Sequence, residues 1–451
     1  MRSLIDRNLT VGSISKNIWF LAVPMILTSF LQDFFSIVDM FFVGRLGPSA
    51  IAAVSMGGVI IGIIMVAVMG ISVGAIALVS RYIGRKDSDS ANNVVMQSLL
   101  LALMFSLVVM ILGYIFAEPL LRLLGAEKDV INLGSSYIKI LALGSPTIFL
   151  TVMMFSSLRG AGDPISPMIV LVVSTLLNII LDPLLIFGIG FFPELGVAGS
   201  AVATVIGRGA ALPFIFWVLY SGRSNVRLRK SNLRPDTKTM GQIIKIGLFG
   251  SLEMIVMNIT MLILMSTVAQ YGTNVVAAYG IGMRLNMAVT IPIMGIGFAA
   301  ATLVGQNLGA LKVERSEKSG WLCALYAVII MCVLSTFLFA FPEEIIGIFN
   351  RDGEIKVLRV GASFLRFVAP SLLFVGLGMT LGRSQNGAGD TQIPLLTSTI
   401  TFLGLRIPLA FLLSSLLGPN GIWLDLAITN VVYGILMTTF FKIGRWKKKK
   451  L

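Results

Sequence analysis

Histidine is absent from this 451-residue chain. Its absence excludes a zinc-binding HExxH helix, a serine–histidine hydrolase and a histidine proton relay. No DDxxD-type metal cluster occurs, and no serine nucleophile stands with a base, so an enzyme is not expected. Charge is scarce: 12 % of residues are Asp, Glu, Lys or Arg, about half the share usual in soluble proteins. Cysteine occurs twice, as Cys323 and Cys332 on one expected helix. Their separation along its axis is about 13–14 Å, too far for a disulfide, so cysteine does not report the compartment. Long polar stretches are missing as well. The longest runs over about 221–239, which leaves no room for a separate soluble domain.

What the chain has instead is apolar sequence. Hydrophobic residues make up 56 % of it, with mean hydropathy +0.92. Many apolar runs reach the 18 or more residues that mark a transmembrane helix. Twelve spans are predicted, at 17–43, 51–80, 92–117, 131–158, 164–188, 197–220, 241–269, 276–305, 317–341, 356–382, 391–415 and 422–442. The opening MRSLIDRNLTVGSISKNIW has no short apolar core followed by a cleavage site, so no removable leader is expected.

Flanking charges orient the spans. The side that holds the N-terminus carries twenty-three Lys and Arg, among them Arg2, Arg229 and Lys447–Lys450, whereas the other side carries five, Arg351 included. The positive-inside rule places both termini in the cytoplasm of a plasma-membrane protein. The net charge of +14 is then read as attraction to anionic membrane lipid, and nucleic acid is not expected as a partner. The terminal lysines read as a stop-transfer flank in preference to a lipid anchor.

The chain also repeats itself. Ser157-Leu-Arg-Gly-Ala-Gly-Asp163 returns as Ser384-Gln-Asn-Gly-Ala-Gly-Asp390, and Leu46-Gly-Pro-Ser-Ala-Ile-Ala-Ala53 echoes as Tyr271-Gly-Thr-Asn-Val-Val-Ala-Ala278. The expected fold is an all-α membrane protein of twelve transmembrane helices, in two six-helix lobes related by a parallel internal repeat. Residues 1–220 would form the N-lobe, 221–240 a basic cytoplasmic linker and 241–451 the C-lobe. Transporters built this way bind substrate at the repeat interface and expose it to each side in turn.

The halves differ where it matters chemically. At an offset of 225–227 residues Asp39 falls near Leu264, Asn178 and Asp182 fall on Leu405 and Leu409, and Thr204 falls on Thr429. Asp39, Asp182 and Thr204 lie within about one helical turn of the same depth. Gln32, Ser36 and Asp39 are spaced to share a face, as are Ser174, Asn178 and Asp182. A carboxylate at such depth must be paired, hydrated, cation-bound or protonated. No Lys or Arg of spans 1 or 5 is at that height. Two adjacent acids can take up a proton or hold a small monovalent cation, with the Asn178 amide and the Thr204 hydroxyl as further oxygen ligands. Pro183 frees the Ile179 carbonyl beside the pair, and Pro24 interrupts span 1. Neutralising Asp39 and Asp182 is expected to change the bend of span 1.

These residues resemble a known family. Ile37-Val-Asp39-Met-Phe-Phe-Val-Gly-Arg-Leu-Gly47, Arg159-Gly-Ala-Gly-Asp163, Asn178-Ile-Ile-Leu-Asp182-Pro183 and Gly196-Val-Ala-Gly-Ser-Ala-Val-Ala-Thr204 together look like the signatures of multidrug and toxic compound extrusion (MATE) transporters, over essentially the whole chain. Resemblance to the archaeal and DinF-like branch implies a V-shaped pair of lobes. It also implies an N-lobe cation site at Asp39, Asn178, Asp182 and Thr204, with Gln32 nearby and Pro24 as the bend. These four would hold Na+ in a sodium-coupled protein, and H+ is the other coupling ion; no cofactor is implied. Other branches place acids in the C-lobe; here Glu253 alone is a candidate, while Arg359 and Arg366 stand where those branches have acids. The resemblance further implies export, by a monomer, of small amphipathic and often cationic organic compounds. Met254, Met257, Met261 and Met265 form a stripe on span 7 that would suit varied ligands or plain packing. Glu253 would attract a cationic compound or pair with a span-10 arginine. Lys139, Arg208, Arg284 and Arg406, within spans, also admit anionic or zwitterionic substrates. The alternative reading is a flippase for lipid-linked oligosaccharides of the same superfamily.

Overall fold

A computed structural model of the protein describes residues 7–350 and 353–449. Arg2, Arg351 and Lys450, counted among the flanking charges, lie outside the described residues. Among those described there is no strand. Twelve membrane-length helical spans follow one another: α1 (Ile14–Gly44), α2 (Pro48–Gly84), α3 (Ser88–Leu123), α4 (Lys128–Leu143 and Ser145–Gly160), α5 (Ile165–Phe187), α6 (Val197–Ser221), α7 (Thr237–Ala269), α8 (Thr273–Gly309), α9 (Val313–Ala340), α10 (Ile355–Gly387), α11 (Gln392–Leu417) and α12 (Pro419–Ile443). The chain is a multi-pass membrane protein. α4 is bent by 53° at Gly144, just before Pro146. The bend lets α4 close on α6: a Cβ on Gly144 would lie 2.2 Å from a Val205 methyl. Cys323 and Cys332 both sit on α9 and are free thiols.

The internal repeat is visible in the backbone. The turn after α2 has Lys86 at φ 62°, and the turn after α8 has Leu311 at φ 61°. A side chain in that region is uncommon, and here it occurs twice in the same turn. The closing hydrogen bonds agree: Arg85, Lys86 and Asp87 amides donate to Arg81, Ile83 and Tyr82, as Ala310, Leu311 and Lys312 amides do to Gln306, Leu308 and Asn307. Gly162 and Gly389, in the two GAGD turns, share φ 84°.

The register of the repeat is not constant, which corrects the linear mapping of the site residues. Within α11, Thr399–Arg406 is a π-helical segment, wide enough to absorb an extra residue. The turn before α12 is also shorter than the one before α6. Matching backbone contacts show the result. A Cβ on Gly199 would meet the Leu185 carbonyl, and one on Gly421 the Leu413 carbonyl. Gly196 and Gly418 cap their helices at nearly the same angles. Arg406 therefore stands where the first half has Asn178, and Ala410 where it has Asp182. Leu426, not Thr429, stands opposite Thr204; Asn430 stands opposite Arg208.

The chain packs as two compact units. Unit 1 holds Leu27–Leu248, with Arg7 and Asn8; unit 2 holds Leu9–Ile26 and residues from Phe249 on. α1 thus contributes its start to unit 2, and α7 contributes its start to unit 1. Glycines allow both. In unit 1 a Cβ on Gly74 would lie 2.4 Å from the Ile243 carbonyl oxygen, and one on Gly247 2.7 Å from that of Gly70. In unit 2 a Cβ on Gly295 would lie 2.7 Å from the Ile26 amide nitrogen. Small residues at such crossings bring helix backbones together in the absence of water.

The basic segment 221–240 is docked on unit 1. Gln97 donates to the Asn232 and Arg234 carbonyls, both at 3.0 Å, and accepts from the Asp236 amide. Asp236 accepts from the Thr239 hydroxyl at 2.6 Å and amide at 3.2 Å, and from Asn93 at 2.8 Å. These donors hold its carboxyl below the usual carboxylate range. The terminal basic stretch, read from sequence as a plain flank, is docked on unit 2. Trp446 is fully buried, stacked on Phe441 with centroids 4.8 Å apart; Lys447 pairs with Glu317 at 2.8 Å and Lys449 with Asp390 at 3.7 Å. Lys312, at the start of α9, donates to the Thr10 carbonyl at 2.9 Å. Thr10 and Lys447 therefore both meet the start of α9 within unit 2.

Candidate ion-coupling site

The second half of α1 is mostly exposed. Its buried stripe is Phe35, Asp39 and Val43, one residue per turn. That stripe differs from the sequence expectation. Gln32 and Ser36 lie on an exposed face, where the Ser36 hydroxyl donates back to the Gln32 carbonyl at 3.3 Å. The polar stripe of α5 is as spaced: Ser174, Asn178 and Asp182 are all buried. α6 closes on it through two glycines. Beyond the Gly199 contact, a Cβ on Gly207 would lie 3.2 Å from the Ser174 carbonyl oxygen. The small residues of Gly196–Thr204 are thus there for close packing, and that packing carries Ser200 to the acids.

Three spans meet at this point. The Ser200 hydroxyl of α6 donates to Asp39 Oδ1 of α1 at 2.5 Å, and Asn178 donates to Asp182 Oδ1 at 3.0 Å. Asp39 and Asp182 are close enough for their charges to act on each other. Tyr137, buried on α4, feels both acids and also Arg208. A Cβ on Gly57 would lie 2.9 Å from the Tyr137 ring, so that glycine makes room for it. Arg208 lies over the Phe35 ring, 5.6 Å from its centroid. Among the described residues, no guanidinium is bonded to either carboxylate.

The donor set suits a small cation. Asp182 Oδ2, Asn178 Oδ1 and Thr175 Oγ1 are buried without a hydrogen-bond partner, and all three lie on one face of α5. Burying such oxygens unpaired costs several kcal/mol at the upper end of transfer scales. Hard oxygen atoms with two carboxylates are the ligand type that a monovalent cation or a proton satisfies. Thr204 is half-buried one turn beyond Ser200, on the same helix. Pro24 and Pro183 both stand inside their helices. Ser200, Thr175 and Tyr137 were missed from sequence. The i, i+4 spacing of Ser200 and Thr204 was the available signal for the first. Nothing local marks Tyr137.

A model of one family, MatE, matches residues 24–184 and 251–412. The chain belongs to the MATE family. It is a transporter and not an enzyme. It is 28 % identical to the probable multidrug resistance protein YoeA of Bacillus subtilis, over 99 % of this chain and 97 % of that protein. It is 30 % identical to the multidrug export protein MepA of Staphylococcus haemolyticus, over 94 % and 92 %. Crystal structures of MATE in a bent and in a straight conformation, 27 % and 28 % identical, each match with a TM-score of 0.90 over 98 % of both chains.

The C-terminal half of this MATE chain has charge centres of its own. Glu253 of α7 accepts from the Ser398 hydroxyl at 3.2 Å, and its cationic neighbour is Arg383, in the last turns of α10. The arginines considered from sequence are placed elsewhere: Arg366 pairs with Glu343, and Arg359 lines a depression at the start of α10. Met257 and Met261 are 37 % and 43 % exposed, whereas Met254 is half-buried. Lys139 and Arg406 rest against Tyr114 and Phe402 rings, and Arg284 is exposed. Sequence reading took Glu253 as the one candidate acid of this half. Asp425, fully buried on α12, is a second.

Proposed function

We propose that this chain is a cation-coupled antiporter that exports amphipathic, mostly cationic, organic compounds by alternating access. The observation that carries the reading is that Asp39 and Asp182 are both buried within electrostatic reach, with unpaired oxygens on Asp182 and Asn178. Na+ or H+ is the coupling ion, held by Asp39, Asn178, Asp182 and Thr204 as in the archaeal and DinF-like branch, and no cofactor takes part. The names of the relatives, as multidrug resistance and export proteins, support drugs as cargo and do not favour a lipid-linked oligosaccharide flippase. Glu253 and the exposed methionines of α7 are the groups proposed to meet a cationic, greasy compound. Residues 1–220 and 241–451 act as the two lobes, joined by 221–240. Pro24 stands two residues before α1 passes from unit 2 to unit 1, which supports it as the bend. The protein works as a monomer in the plasma membrane, with both termini cytoplasmic.

The test is dye transport by purified protein in liposomes, with sodium and proton gradients imposed separately. Export is expected under at least one gradient. Asp39→Asn and Asp182→Asn should each abolish it while reconstituting and folding as wild type. Full transport by either variant would remove the acid pair from the mechanism.

A further inference from the structure

Unit 2 contains a counterpart of the unit 1 site with its charges redistributed. In unit 1 the amide, Asn178, is on α5 and the guanidinium, Arg208, on α6. In unit 2 the guanidinium, Arg406, is on α11 and the amide, Asn430, on α12, so the two groups have exchanged helices. Each arginine also has a buried tyrosine within electrostatic reach, Tyr137 in one unit and Tyr279 in the other.

Arg406 ends the π-helical segment of α11. Its Nε donates to Thr429 Oγ1 at 2.7 Å and its Nη2 to Asn430 Oδ1 at 2.8 Å, while Phe402 lies under its face at 4.6 Å. The Asn430 amide in turn donates to the Ser371 hydroxyl on α10 at 3.0 Å. One turn before Thr429 on α12 stands Asp425. It is 0 % exposed, and among the described residues neither carboxyl oxygen has a hydrogen-bond partner. Arg406 acts on it electrostatically but is bonded to its neighbours instead.

A bare, buried carboxylate with no donor on either oxygen is costly, and an arginine within electrostatic reach but spent on neutral oxygens is an unusual remedy. A proton on the carboxyl removes the buried charge, and with it the need for the guanidinium to pair with Asp425. We infer that Asp425 is a proton-binding site of unit 2, and that Arg406 responds to its charge. A metal cation is disfavoured there, because the guanidinium already supplies the positive charge. Loss of the proton to water leaves a carboxylate, and Arg406 then leaves Thr429 and Asn430 for it. Asp425 and Thr429, which already accepts from Arg406 Nε, are four residues apart on α12 and share a face, so a swing of the guanidinium along the helix suffices. The move releases Asn430 and loosens the Arg406–Asn430–Ser371 link between α11, α12 and α10. The π-helical segment gives Arg406 backbone slack for it. Among the described residues Arg406 is the charged group that acts on Asp425. Of the others on helices packed against α12, Arg366 turns to Glu343, Arg383 to Glu253 and Arg445 to Gln392. Tyr279 acts on Arg406 and not on Asp425. Proton binding here stands apart from the coupling reading; only its use during transport rests on that reading.

The test is infrared difference spectroscopy of the full chain in lipid, titrated with pH and compared with Asp425→Asn. A carbonyl-stretch band of a protonated carboxylic acid, shifted by deuteration, should be present in wild type, titrate, and be lost in the variant. The same band should survive in Asp39→Asn/Asp182→Asn, which separates this site from that of unit 1. A second readout uses Trp423, which stacks on Tyr279 at 5.7 Å. With the other four tryptophans changed to phenylalanine, its fluorescence should follow pH, and should cease to do so with Asp425→Asn. An unchanged infrared band in the Asp425→Asn protein, shown folded by its helical circular dichroism, would overturn the inference even if Asp39 and Asp182 prove essential to transport.

Discussion

Asp182→Asn is the substitution whose effect the structure allows to be sized. Asp182 is fully buried, its Oδ1 takes the Asn178 amide, and its Oδ2 is unpartnered. The substitution keeps the shape and an oxygen but removes the charge. For a bound cation about 4 Å from the charge centre, at an effective dielectric of about 20, the lost attraction is about 4 kcal/mol. That corresponds to about a thousandfold in affinity. Asn178→Ala is the internal comparison. It removes a neutral oxygen and one donor to a carboxylate, about 1.5–3 kcal/mol, or about ten- to a hundredfold. The assay is equilibrium binding of radiolabelled sodium to purified protein in nanodiscs, with proton release followed by a pH dye in parallel. Asp182→Asn should weaken binding more than Asn178→Ala in whichever channel wild type responds. Wild-type binding and proton release in Asp182→Asn, or the reverse ranking, would refute the assignment of Asp182 Oδ2 as a direct ligand position.

Gly74→Ala should lower the melting temperature, because its Cβ would sit 2.4 Å from the Ile243 carbonyl; overpacking of this kind costs about 1–3 kcal/mol. Gly241→Ala, with nothing within 4 Å, should leave it unchanged or raise it, and equal effects at the two sites would contradict the packing described. Trp446→Ala should cost unit 2 about 3–5 kcal/mol, read as a lower midpoint in thermal unfolding, since the ring is fully buried on Phe441. Docking of 221–240 on unit 1 should be pH-dependent with a defined sign. The Asp236 carboxyl is depressed in the folded state, so its contribution is complete above the ordinary carboxylate range and is lost as pH falls through the lower folded value. Hydrogen exchange at Lys238 and Thr239, corrected for intrinsic rates, should accelerate across that acidic window, and Asp236→Asn should remove the transition.

Much of the fold was legible because burial in lipid leaves one solution for the backbone. Every polar backbone group must be satisfied inside its own segment, so apolar runs of sufficient length become helices wherever they occur. Span 4 shows the margin: its length was legible in the sequence, whereas its 53° bend at Gly144, which brings that glycine against Val205, was not. The α5 stripe of Ser174, Asn178 and Asp182 was readable because a single helix sets its own periodicity. The α1 stripe was not, since which face of that helix is buried depends on its neighbours, and they chose Phe35, Asp39 and Val43. Glu253 was open between a cationic compound and a span-10 arginine, and its cationic neighbour, Arg383, lies on α10 in turns that the sequence reading had given to a loop.

By itself, the order of residues determined that the chain spans a membrane twelve times, repeats once, and places unpaired acids in its first half. These follow from hydrophobicity and local periodicity, which act over a few turns. Tertiary structure decided which side chains meet, Ser200 on Asp39 and Arg406 on Thr429 and Asn430, and it left Asp425 without a donor among the described residues. Each depends on a backbone approach or a single-residue slip, at Gly199, Gly207 or the π-helical segment of α11. Such approaches and slips are set by how helices fit against one another, and no single helix contains that information.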